Sequence, residues 1–250
     1  MDFPLFSKKA RYSEAVHVRH EDILSCARAL ARQHKPLRGH VLIAADFLKE
    51  SRDPNAWRKH ARALRRSGDV IWDEFLRVLL EVVDESRNRG VEPELEAAAE
   101  VFETSKLLYG LALETALKGW IVEHYPSKIE VRVAMDGTGQ ATHAELRTVG
   151  VPISSGHNLL ALAEAADLFG ERFRTVLVTD HDRRAMRNIC RELGEVVLWR
   201  GRYPVPLASA EPMRLDPNVL PRAVAHYIRD WLDPVLDVLL LARGDAVPQE

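Results

Sequence analysis

Cysteine is almost missing from this chain: Cys26 and Cys190 are the only two. That excludes cysteine-rich zinc modules and small disulfide-stapled scaffolds, both of which need more thiols. Each cysteine sits among apolar residues at helical spacing, where a small buried thiol is expected. A bulk charge of one sign is missing too. Acidic and basic residues nearly cancel at a formal net charge of -2, so nothing suggests general coating of a polyanion. No long apolar run follows the basic residues of MDFPLFSKKARYSEAV, so no signal peptide is expected. No P-loop, no GxGxxG after a strand and no HExxH helix occurs. Neither a cofactor nor a metal ion is therefore expected. Asp180-His181-Asp182 offers donor atoms, but three consecutive residues rarely converge on one ion.

Apolar residues are plentiful, at 46% of the chain, enough for a substantial core. The stretch from Leu107 to Val122 carries only the charges of Glu114 and Lys118. It is too short to cross a bilayer, and the chain reads as cytoplasmic, without a membrane partner. Glu114 and Lys118 are four apart and share one helix face, the acid on the N-terminal side as such pairs prefer. The remaining faces are apolar, so this helix should be covered on most sides.

Helical periodicity dominates elsewhere. A helix is predicted over 12–34, another over 38–50, and a surface helix over 56–66 that stops at Ser67-Gly68-Asp69. An amphipathic helix follows over 70–87, ended by Gly90 as a left-handed cap. Glu92-Pro93-Glu94 should open the next helix, which runs to Tyr125-Pro126. The only β signal is an alternation over 128–133, a turn at Asp136-Gly137 and a returning strand over 141–149; a flexible insertion is the alternative. Helices are predicted again over 159–169, over 182–199, and from 218 or 221 to 242. The fold class is all-α: an antiparallel helical bundle in the C-terminal half, a helical N-terminal half, and a small β-hairpin near 128–149. Residues 1–90 form an N-terminal helical region and 91–250 the bundle, or the two run as one continuous domain.

Three groups of residues carry chemistry. Gly156-His157-Asn158-Leu159-Leu160 places a histidine at a helix start, where capping from Ser155 or its neighbours is the structural alternative. Trp199-Arg200-Gly201-Arg202-Tyr203-Pro204-Val205-Pro206 sets two arginine forks among aromatic rings. That combination grips phosphate and stacks on bases, or else closes a core. Basic clusters lie at residues 52–66 and on the later helix, where Arg183, Arg187 and Arg191 stack a turn apart with Arg184 beside them. Such stripes track a phosphate backbone, or form a solvated face balanced by the five glutamates of residues 92–103.

The run Ala112-Leu113-Glu114-Thr115-Ala116-Leu117-Lys118-Gly119, followed by Gly156-His157-Asn158-Leu159-Leu160-Ala161-Leu162-Ala163, resembles the HEPN domain family (higher eukaryotes and prokaryotes nucleotide-binding). The resemblance covers roughly residues 95–240. It implies an all-α bundle, often a homodimer, that binds RNA, a nucleotide or a partner protein, in some bacterial members within defence or toxin–antitoxin systems. Others in the family are metal-independent endoribonucleases that use an arginine and a histidine with four to six residues between them. That spacing occurs as Arg11…His17, Arg28…His34 and Arg174…His181, about as often as chance supplies it. If the chain is an endoribonuclease, the resemblance points to His157 and Arg202 as the catalytic pair, with His181, Arg174 and Arg200 as alternatives. Glu114, Lys118, Trp199, Arg200 and Tyr203 are then binding residues. A structural or assembly protein is the remaining alternative.

Overall fold

Asp53 begins the first long element. Its side chain accepts a hydrogen bond from the Asn55 amide at 2.9 Å, and Pro54 takes the first helical position, where a missing N–H costs nothing. The computed structural model describes residues 44–200 and 227–241. Helix α1 spans Ala44–Ser51 and α2 spans Pro54–Arg89. The break predicted at Ser67-Gly68-Asp69 is absent, because α2 runs through it without interruption. A Cβ on Gly68 would lie 3.4 Å from the Tyr109 ring, so the glycine sits where a neighbouring helix packs closely. Gly90 ends α2 in the left-handed conformation (φ 65°), as expected.

Helix α3, Glu96–His124, starts three residues after Pro93, later than predicted. It returns antiparallel to α2. Trp72 and Phe75 pack against Phe102 with tilted rings near one end, Tyr109 donates to Asp69 at 2.7 Å midway, and Arg58 pairs with Glu123 at the other end. Burial and the Asp69 carboxylate hold the Tyr109 phenol well above its ordinary range. From Ala112 to Val122 every residue but Thr115 is buried, so the helix is covered on most sides. The helices on either side of Asn88–Pro93 share one apolar core.

Strands β1 (Ile129–Met135) and β2 (Ala141–Val149) form the predicted hairpin, and a two-residue strand, β3 (Val151–Pro152), completes a small antiparallel sheet in the order β1-β2-β3. Helix α4 is shorter than predicted, at Leu159–Ala165. Its cap is Asn158, whose side chain accepts from the Ala161 amide at 3.0 Å, so His157 lies outside the helix. Helix α5, Asp180–Glu195, opens with a reciprocal cap between Thr179 and Asp182. It continues into a π-helical turn, Val196–Arg200. A second π-helical segment, Tyr227–Leu232, leads into α6, Asp233–Leu240.

Helix α3 contacts α2, α4, α5 and α6. The described residues are thus mostly helical, with one small sheet. No helix among the described residues is long and apolar enough to cross a membrane. The helix predicted over 12–34 and Cys26 lie outside the described residues.

Candidate functional site

The charged pair of α3 is buried and closed. Lys118 Nζ donates to Glu114 Oε1 at 2.6 Å, with each side chain about one-tenth exposed (10% and 9%). The other carboxylate oxygen, Oε2, lies 2.8 Å from His157 Nδ1. Both oxygens of one buried carboxylate are therefore occupied, which such a group requires if it is to remain charged. The chain reaches this position through a short 3-10 turn, Ile153–Ser155, whose Ile153 carbonyl accepts from the Gly156 amide. Gly156 is buried, and a Cβ there would stand 3.3 Å from Lys118 Nζ. The glycine leaves room for the ammonium, and the next residue supplies the imidazole.

Of the three side chains, only His157 reaches the surface, at 37% exposure. An ionised Glu114 accepts, so Nδ1 carries the hydrogen. The neutral ring then presents Nε2 as an acceptor, and the protonated ring presents it as a donor. Among the described residues Nε2 has no hydrogen-bond partner. His157 lines a cleft of about 550 Å³ between residues 154–160 and the end of α5, a volume within the range of ligand sites. Ser154, Ser155 and Asn158 give it a polar rim, and Leu159, Leu160 and Leu198 an apolar wall. Arg191 and Glu195 supply one charge of each sign. Cys190 also borders the cleft, but burial pushes its thiol up to about 12. It stays protonated at neutral pH and acts as wall rather than nucleophile.

The arginines of α5 divide by role. Arg183 is tied down, donating to the Leu177 carbonyl at 2.8 Å and to Asp180 at 2.9 Å. Arg187 lies over the Phe169 ring at 4.0 Å, and Arg191 donates to Asn188 at 2.8 Å. Arg184, Arg187 and Arg191 share one helix face, and none of them closes an ion pair among the described residues.

The cluster at 52–66 is a solvated face in part, with Arg52, Lys59, Arg62 and Arg66 exposed, but other contacts tie it to the fold. Arg58 is buried against Glu123, Arg62 donates to the Leu240 carbonyl, and Arg65 bridges Asp233 and Asp237. These side chains tie α2 to α3 and α6. Arg174 pairs with Glu171 at 3.0 Å and His181 faces the Trp231 ring, so neither lines the cleft. Trp199 and Arg200 fall on the π-helical turn after α5, while Arg202 and Tyr203 lie outside the described residues. The structure thus brings Glu114, Lys118 and His157 together.

Arg191, Asn158 and the two serines complete the cleft. The sequence marked Arg191 only as part of a stripe, and nothing in it signalled that α5 would end beside His157. Among the described residues no cluster of three or more histidine, cysteine or acidic side chains could hold a metal ion. No family model, curated protein or solved structure matches the chain.

Proposed function

We propose that this is a HEPN-like helical protein that binds RNA through its phosphates, using the His157 cleft and the arginine face of α5. The observation that carries the reading is the run of Arg184, Arg187 and Arg191, without carboxylate partners among the described residues, ending in the cleft where His157 presents Nε2. Arginine forks match phosphate oxygens and are weakly hydrated, which suits them to such contacts. The HEPN-like part of the reading is supported by the packing of the ALExxLKG helix against the GHNLLALA segment through the Glu114–His157 contact. Anisotropy of a labelled single-stranded RNA across a salt series tests it. Affinity should fall with salt, with a log–log slope of about -0.7 for each phosphate contacted. Arg187→Ala with Arg191→Ala should weaken binding roughly tenfold and flatten that slope by about 1 to 1.5 units. Salt-independent binding, or binding indifferent to both substitutions, would sink the reading.

One observation favours a second reading, a metal-independent endoribonuclease: a carboxylate orients His157, as general-base histidines often are. Nε2 would take the proton of a ribose 2′-hydroxyl, whose oxygen attacks the adjacent phosphorus. The 5′-oxygen leaves and is protonated by water, giving a 2′,3′-cyclic phosphate and a 5′-hydroxyl. On this reading, mixed RNA is cut in EDTA, and His157→Ala slows cutting by about 100-fold or more. Intact RNA with the unmodified protein, or unchanged cutting by His157→Ala, removes it.

A further inference from the structure

We propose that the cleft takes a singly charged phosphodiester, and that His157 gains a proton when it binds. The inference rests on the RNA reading above and narrows its ligand to an internal phosphate of a strand rather than a terminal one. It follows from the charges that face His157. From α3 come Glu114 and Lys118, from α5 come Arg191 and Glu195, and the segment of His157 itself adds only the neutral Ser154, Ser155 and Asn158. Two carboxylates and two cations cancel, so with a neutral imidazole these side chains carry no net charge. Protonating His157 leaves one positive charge beside a buried ion pair, where unbalanced charge is costly. A phosphodiester restores neutrality, with the new Nε2–H donating to a phosphoryl oxygen while Nδ1–H stays on Glu114. A terminal phosphate, dianionic near neutral pH, would overshoot by one charge. The proton comes from solvent and no bond is broken.

The consequence is a linkage between affinity and pH. Isothermal titration with a 2′-O-methylated uridine dinucleotide tests it, because that phosphodiester does not titrate between about pH 5 and 8 and cannot be cleaved through its 2′-oxygen. Titrations in two buffers of different ionisation enthalpy, across that range, should show uptake of up to one proton per ligand. Where one proton is taken up per ligand, affinity should fall by up to about tenfold for each unit that the pH rises. His157→Asn keeps a polar side chain in the half-exposed position. It should abolish both the proton uptake and the pH dependence. Uridine monophosphate at about pH 8 should bind more weakly than the dinucleotide. Binding without proton uptake, or a pH dependence that survives His157→Asn, overturns the proposal. So does tighter binding of the monophosphate. If the dinucleotide fails to bind while longer RNA still binds in a salt-dependent way, this inference fails and the RNA reading stands. If neither binds, both fail.

Discussion

Glu114→Ala should be among the most destabilising single changes in this protein, lowering unfolding free energy by about 3–5 kcal/mol. The loss comes less from the missing hydrogen bonds than from what is left behind. Lys118 Nζ loses its carboxylate in a position only 10% exposed, and Glu114 is its only ion-pair partner among the described residues. At about 2–4 °C per kcal/mol for a chain of this size, the melting midpoint should fall by roughly 6–20 °C. Three companions separate the causes. Glu114→Gln keeps the shape and one hydrogen bond, so it should cost less than alanine. His157→Ala removes a partner that is 37% exposed and should cost about 1 kcal/mol. Glu114→Leu combined with Lys118→Met replaces the pair with packed apolar groups and should recover most of the loss. Urea unfolding measures all four. If Glu114→Ala costs under about 1 kcal/mol, water reaches Lys118 and the pair is not a buried one.

Gly150→Ala should cost about 2–4 kcal/mol, from two sources that a control can divide. Gly150 joins β2 to β3 with φ 72°, a left-handed conformation that strains any residue with a Cβ. A Cβ built there also lies 2.5 Å from Ile121 Cδ1 and 3.0 Å from Ala165 Cβ. The isoleucine methyl can swing aside, but the alanine carbon moves only with the backbone of α4. Gly90 has nearly the same backbone (φ 65°) with nothing within 4 Å of the added carbon. Gly90→Ala should therefore show the conformational cost alone, about 1–2 kcal/mol. The difference between the two isolates the crowding against α3 and α4. Equal losses at both positions would mean that the sheet shifts to absorb the clash. The sheet would then be loosely attached to the helices.

Much of this architecture is readable from local pattern. The covered helix around Ala112–Val122 follows from an apolar run with only two charges, and the hairpin from alternation around Asp136-Gly137. Gly90 and Asp53 mark helix ends because caps are chemistry of a few adjacent residues. The misread break at Gly68 shows where locality stops. Glycine and aspartate weaken a helix in isolation, but there the Tyr109 ring packs over Gly68 and its hydroxyl bonds to Asp69. Arg58 and Arg65 show the same limit. Their sign is legible, but the acids that neutralise them, Glu123, Asp233 and Asp237, are far away in sequence. At the site, Glu114, Lys118 and His157 were legible as members of the two motifs that carry the resemblance. The cleft itself was not legible, because it exists only once α5 ends beside that segment. The π-helical turns leave no trace in composition, since they shift backbone hydrogen bonds without needing particular side chains.

Helix α3 is keyed as well as buried. An apolar rod in an apolar sleeve could slide by a turn or rotate with little change in buried area. Here polar teeth project from it at separate heights and in separate directions. Lys106 reaches Glu192 of α5, Tyr109 reaches Asp69 of α2, Glu114 reaches His157, and Glu123 reaches Arg58 of α2. A one-turn slip, about 5.4 Å, would unmake all four at once, leaving charges buried without partners. The phase of this rod also places Glu114 beside His157, so the geometry at the cleft is indexed to a helix held in one setting.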